Sequence, residues 1–439
     1  MTPGHDPSPT APADLYLPPP APLDAGKYRF TVGHMFLGSA FLLLFLAVVI
    51  PNSLPIPTAA AMGLAFLLAL PGLRISAGFW NLLMMYVATV VVTIAYMVVG
   101  GMHDAPREAL VQVAAIYIVS PLLWTIIAEA LLRWLGTDRL IGWLVVLSLL
   151  CAVSVALFFY LYFRHGAAAV AFFFQGANIN QNQGFSGATM HVYGSLIFLC
   201  GGFFSSPELI RSRLLRLVML AALLICALTS GRSALILSVP MGWLLGLMLT
   251  SRTTEHPHRS MFTSVIRYGV PVLVATALAL FLLQAYTQIS LSAVLDVVTN
   301  KLASGGGEAR VQMGHSLLAG IFDNGGFGSG HGVGVKYVSD PIHPWRYELV
   351  WLATLYRVGI LGTVIYALPF ALYILAALRL AWRNRLPTRH KFMFSGLVCA
   401  LLATNTNPYI EAFAFQWMYV FPLVTLFIEY PDCLRKAPG

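Results

Sequence analysis

The chain has 439 residues, of which 58% are hydrophobic and 10% charged, and it carries a formal charge of +9. Soluble domains carry about 25% charged residues, so a water-soluble fold of this composition would leave far too much apolar surface in water and is excluded; lipid is the solvent that suits it. A basic excess can signal nucleic acid in a soluble protein, but here the charge is read by membrane side, and no nucleic-acid partner is expected.

Residues 1–30 are rich in Pro, Ala and Asp and lack a basic start, which predicts a disordered cytoplasmic tail and no cleaved signal peptide. Apolar runs follow at 33–50, 57–74, 78–100, 109–133, 139–163, 187–204, 211–229, 232–250, 264–285, 360–382, 391–406 and 409–430. Each is near the length that crosses a ~30 Å hydrocarbon core at about 1.5 Å per residue. The expected fold is all-α: a polytopic integral membrane protein of about twelve transmembrane helices. Nine helices fall in 31–285, a large non-cytoplasmic loop covers 286–359, three helices fall in 360–430, and 431–439 form a cytoplasmic tail. Cys151, Cys200, Cys226 and Cys399 lie inside apolar runs and read as small core residues.

With both termini cytoplasmic, most Lys and Arg fall on the cytoplasmic side. The exceptions are Arg107, Arg164, Arg232, Lys301, Arg310, Lys336, Arg346 and Arg357, and five of these lie in the 286–359 loop. That loop is too long for a simple linker. It holds a glycine cluster at 305–307, a helix-like stretch Arg310–Ile321, and a second Gly-rich run, Asp323–Gly332, whose backbone N–H groups can approach an anion. It also holds His315, His331 and His343, without metal-ligand spacing. A second outer loop, 164–186, is rich in amides; Asn180 and Asn182 there are candidate sugar-hydroxyl ligands, or parts of a solvated turn.

Three ionisable positions stand out for chemistry. Arg232 sits in the turn Ser230-Gly231-Arg232-Ser233 between two spans, Arg310 opens the loop helix, and Glu348 opens a short amphipathic helix running to Gly359. Guanidinium groups grip phosphate oxygens bidentately at any relevant pH, and a carboxylate can act as general base. The plainer alternative is that an arginine simply pairs with Glu348. Arg346, Arg357, His315 and His331 are further substrate-binding candidates, and His343 is the alternative base. The runs hold few ionisable residues, which counts against a transporter or flippase.

Three stretches together resemble the O-antigen ligase and polymerase superfamily. They are Ser230–Leu235 between two spans, Arg310 followed by Ala319–Gly330, and Glu348–Gly359 with Gly362. The resemblance implies a bacterial inner-membrane glycosyltransferase with a GT-C-like helical fold, both termini cytoplasmic and a periplasmic active site. It implies a glycan donor on undecaprenyl diphosphate and no cofactor or metal. Arg232 and Arg310 would then hold the diphosphate while an acceptor hydroxyl attacks the anomeric carbon. The family's ligases carry His-Asn or His-Ser at the position of Glu348-Leu349, with His343 lying five residues earlier here. That difference favours a polymerase of O-antigen or exopolysaccharide repeat units, with a ligase acting on lipid A-core as the alternative. The expected partners are the lipid-linked glycan, the acceptor glycan or lipid A-core, membrane lipids and a chain-length regulator.

Overall fold

A computed structural model describes residues 27–171, 177–179, 188–250, 270, 273–274, 277–278, 281, 307–338 and 340–433. Its elements in chain order are α1 (Lys27–Val48), α2 (Pro55–Ala69), α3 (Ala77–Met102), α4 (Arg107–Val113), α5 (Ser120–His165), α6 (Ala167–Val170), β1 (Asn178–Ile179), β2 (Ala188–Thr189), α7 (Val192–Ser205), α8 (Arg213–Thr229), α9 (Ser233–Thr250), α10 (Gly307–Asp323), α11 (Val350–Trp382), α12 (Thr388–Ala403) and α13 (Trp417–Glu429). Among the described residues the fold is helical, with one antiparallel pairing of two-residue strands, β1 with β2. The predicted run 264–285, the glycine cluster 305–306 and Asn180 and Asn182 lie mostly or wholly outside the described residues.

Among the described residues four helical segments are long and apolar enough to cross a membrane: Pro55–Gly72, Ala77–Met102, Arg107–His165 and Val350–Trp382. Shorter apolar helices run over Val32–Val48, Val192–Ser205, Ser233–Leu249 and Phe413–Glu429. The 59-residue segment Arg107–His165 would be roughly 90 Å long if straight, far beyond a hydrocarbon core. It is not straight, because Gly136 takes φ +71° and ψ 163° and breaks the helix, between the two runs expected there. A left-handed residue of this kind is readily adopted only by glycine. Gly359 breaks α11 in the same way at φ +64°, which separates a short entry helix from a long apolar one.

α7 is buried on nearly every side and packs against α9 and α12. Small residues permit the close approach: a Cβ on Gly246 would stand 2.6 Å from the Ser205 carbonyl oxygen, and one on Gly242 would strike the Gly201 backbone. Without a hydrophobic drive between helices in lipid, such backbone-level packing is what holds neighbours together. Cys151, Cys200, Cys226 and Cys399 are buried, as expected of core residues, and Cys433 is buried too.

Charged side chains collect at two ends of the bundle. At one end Lys391 Nζ donates to Glu208 at 2.7 Å, His390 Nε2 meets Glu429 at 2.7 Å, and Arg389 bridges Glu429 and Asp138. Arg133 pairs with buried Glu129 there and donates to the Arg74 carbonyl at 3.1 Å. Glu129 thus is an ionisable group inside an apolar run, carried by a cation one helical turn away. The opposite end holds the α8–α9 turn, α10, the start of α11 and the α12–α13 connection.

The Gly-rich run 324–332 corrects one expectation. Most of its N–H groups are already taken by backbone carbonyls and are not free for an anion. Ser329 donates to the Tyr356 carbonyl at 2.8 Å, Gly330 to Arg357 at 2.9 Å and His331 to Tyr96 at 2.8 Å. The run is a backbone wedge between α3 and α11, and its glycines leave room for it. Gly328 has φ +92°, and a Cβ there would lie 2.5 Å from Gly359 N and 2.7 Å from the Val358 carbonyl carbon. Gly328→Ala is therefore expected to cost about 3 kcal/mol or more, from backbone strain and overpacking together. The check is the midpoint of thermal unfolding in detergent; an unchanged midpoint would refute the wedge.

Candidate active site

Two residues in the α12–α13 connection draw the distant arginines together. Arg310 Nη2 donates to the Thr406 carbonyl at 2.9 Å. Arg232 Nη1 donates to Oδ1 of the next residue, Asn407, whose own Nδ2 donates to Thr406 Oγ1 at 3.2 Å. Arg232 and Arg310 lie 78 positions apart in the chain, yet a single dipeptide tethers both. The connection is irregular for a local reason. Pro408 cannot donate to a helix, and the chain passes through two short 3-10 turns, Tyr409–Glu411 and Phe413–Phe415, before α13 begins at Trp417. The expected run at 409–430 is thus helical only in its second part.

Arg310 Nε also donates to Glu348 Oε2 at 2.8 Å, so the plainer expectation for Glu348, an ion pair with an arginine, is met by Arg310. Glu348 keeps 41% of its side chain exposed. Arg232 has no carboxylate partner among the described residues, and its Nε is buried without a hydrogen-bond partner. A buried guanidinium donor with nothing to bond is costly. Two guanidinium groups against one carboxylate leave the cluster one positive charge in excess. Tyr409 sits at its base, feeling Arg232, Glu348 and Arg310 together, and burial pushes its phenol pKa up. His191 lies on the other flank, where burial and then Arg232 push its pKa down. The imidazole therefore adds no further positive charge.

Strand β2 is fastened to the same turn. Ala188 bridges Ser230 in parallel, and Gly231 N donates to the Ala188 carbonyl at 2.8 Å. The turn that presents Arg232 is thereby fixed on both sides.

A second buried cluster supports the first. Arg357 pairs with Glu411, donates to the Trp345 carbonyl at 2.5 Å and stacks 5.7 Å from the Tyr347 ring centre. Tyr117 donates to the same Glu411 oxygen at 2.6 Å. Tyr117 belongs to a π-helical stretch, Ala114–Val119, between α4 and α5. Such stretches free backbone carbonyls, and here Ile116 accepts from Gln416 at 2.8 Å and Ile118 from Tyr86 at 2.7 Å. Glu411 lies four residues beyond Asn407, so Arg357 and Tyr117 anchor the connection that tethers Arg232 and Arg310.

The remaining expected residues are dispersed. His343 Nδ1 meets Asp340 Oδ2 at 3.0 Å and its ring packs edge-on to Trp345; the bond from His343 holds the Asp340 carboxyl below its usual range. Arg346 is exposed and donates to Gln112 at 3.3 Å, which also accepts from Trp345 at 2.9 Å. His331 is buried against Tyr117 and Tyr366, its Nε2 3.1 Å from the Tyr366 hydroxyl. Burial, with Arg357 adding to it, pushes its pKa down to about 3, so it is a neutral packing residue. His315 is exposed on the outer face of α10. Thr406, Asn407, Tyr409 and Glu411 were not anticipated. Two signals pointed to them: the turn sequence Asn405-Thr406-Asn407-Pro408 and a carboxylate, Glu411, within an apolar run. No protein-family model, no curated protein and no solved structure matches the chain.

Proposed function

We propose that this chain is a multi-pass membrane glycosyltransferase of about twelve spans, with both termini cytoplasmic, that joins undecaprenyl-diphosphate-linked repeat units at the periplasmic face of the bacterial inner membrane. The observation that carries this reading is the Arg232–Arg310 pair on Thr406 and Asn407, with an unfilled buried Nε on Arg232 and a surplus positive charge. A diphosphate supplies both the missing acceptors and the missing negative charge. In the reaction the acceptor hydroxyl oxygen bonds to the anomeric carbon. The bond from that carbon to the diphosphate oxygen breaks, and its electron pair leaves on the lipid diphosphate. The acceptor proton passes to a carboxylate, and Glu348 is the nearest to the arginines. Fixed guanidinium charge stabilises the leaving diphosphate in place of mobile solvent.

One observation favours a second reading. Asp340 orients the His343 imidazole, an arrangement suited to a general base, which would suit ligation of finished glycan onto lipid A-core. A deletion strain separates the two on a gel of lipid-linked and lipopolysaccharide-linked glycans. Single capped repeat units are expected for the polymerase. Long glycan stranded on its lipid carrier would assign the ligase instead, and an unchanged pattern would overturn both.

A further inference from the structure

α10 carries two apolar faces. Met313, Leu317 and Ile321 turn inward to pack on Tyr347, Ala353 and Tyr356. On the outer face polarity changes along the axis. The first half presents Glu308, Gln312 and His315 to the exterior with one apolar residue, Val311, among them, whereas the second half presents Leu318 and Phe322 beside a single carboxylate, Asp323, and is followed by Phe327 in the next turn. Phe322 is 78% and Phe327 82% exposed. A pair of bare phenylalanines is expensive in water and ordinary at the acyl boundary of a bilayer.

The neighbourhood says what covers them. Ile360 N donates to the Gly326 carbonyl at 3.0 Å, and Tyr96 Oη donates to the Phe327 carbonyl at 2.7 Å. Phe327 therefore sits beside Ile360 and Leu361, which are 63% and 72% exposed at the start of the long apolar part of α11. Their outward surface continues down that helix through Val364 and Leu368, and down α3 through Val98 and Val91. The phenylalanines thus stand beside exposed apolar residues of two helices long enough to cross a membrane.

We propose that α10 is an interfacial helix, its C-terminal end immersed in the lipid leaflet through Leu318, Phe322 and Phe327 and its N-terminal end in water. This fixes the height of Arg310 at the leaflet surface, where the headgroup of a lipid-borne substrate lies. The immersion itself depends only on α3 and α11 spanning a bilayer, and not on the glycosyl-transfer reading.

The full chain carrying one added cysteine, F322C, F327C, H315C or L361C, is labelled with nitrobenzoxadiazole and placed in phosphatidylethanolamine–phosphatidylglycerol vesicles. The native cysteines are buried. Emission is quenched with brominated acyl chains from the lipid side and with iodide from water. Labels at 322, 327 and 361 are expected to lose most of their emission to brominated lipid and little to iodide, with the reverse at 315. Lipid quenching at 361 alone, with iodide quenching at 322 and 327, overturns the proposal. Quenching at 322 and 327 by neither agent, which means a protein partner covers them, overturns it too. Iodide quenching at all four overturns the spanning role of α11 as well.

Discussion

Arg232→Ala and Arg310→Ala are each expected to lower glycan extension by about 100-fold or more, the usual cost of removing one fixed donor to charge that develops on a leaving group. Protein abundance in the membrane should stay near normal, because both side chains are only partly buried. Arg232→Lys should recover little. Lysine offers a point charge where the turn presents a planar fork, already bonded through one nitrogen to Asn407 with another left open. Asn407→Ala releases that fork without removing its charge, so its loss should be smaller, about tenfold, or near 1.4 kcal/mol. Glu348→Gln distinguishes base from counter-ion. A carboxylate that takes the acceptor proton cannot be replaced by an amide, whereas one that only steadies Arg310 through its 2.8 Å bond can be replaced in large part. The measurement is repeat-unit polymerisation in a deletion strain complemented by each variant, with membrane levels checked by immunoblot. Full extension in both arginine variants would remove the basis for diphosphate binding.

Hydrophobic runs, basic exceptions and a lone Glu before an amphipathic helix are local signals, and they pointed to Arg232, Arg310 and Glu348 and to helix breaks near Gly136 and Gly359. What brings Arg232 and Arg310 together is not local. Thr406 contributes a backbone carbonyl, which any residue has, and Asn407 an amide that reads from sequence as turn chemistry. The Gly-rich run misled for a related reason. Glycines that admit a ligand and glycines that admit another backbone look alike in sequence, and only the positions of Tyr356, Arg357 and Tyr96 show that helix carbonyls take those N–H groups. Glu411 was hidden by its apolar neighbours Ile410, Ala412 and Phe413, although a carboxylate amid such residues demands a cation. That cation, Arg357, lies 54 residues earlier in the chain.

Arg357→Ala is the substitution expected to damage the fold most. Its side chain is 5% exposed and that of its partner Glu411 10%, so truncation would leave a largely buried carboxylate without its ion-pair partner, with the Tyr117 hydroxyl as its hydrogen-bond donor and Arg346 as a more distant cation. Breaking a buried pair from one side costs about 3–5 kcal/mol, because the remaining charge is uncompensated. The Trp345 carbonyl would lose its donor as well. Detergent-solubilised Arg357→Ala should therefore unfold at a clearly lower temperature than the parent and accumulate poorly in the membrane. Replacing both partners by apolar residues of similar volume, as in Arg357→Met with Glu411→Leu, should restore much of that stability, since no charge is then left buried. Activity should not return with it. Glu411 fixes the short connection whose preceding turn holds Arg310 through the Thr406 carbonyl and Arg232 through the Asn407 side chain, so a stable double variant still presents its arginines loosely. A double variant that regained full extension along with its stability would show that the Arg357–Glu411 pair serves the fold alone.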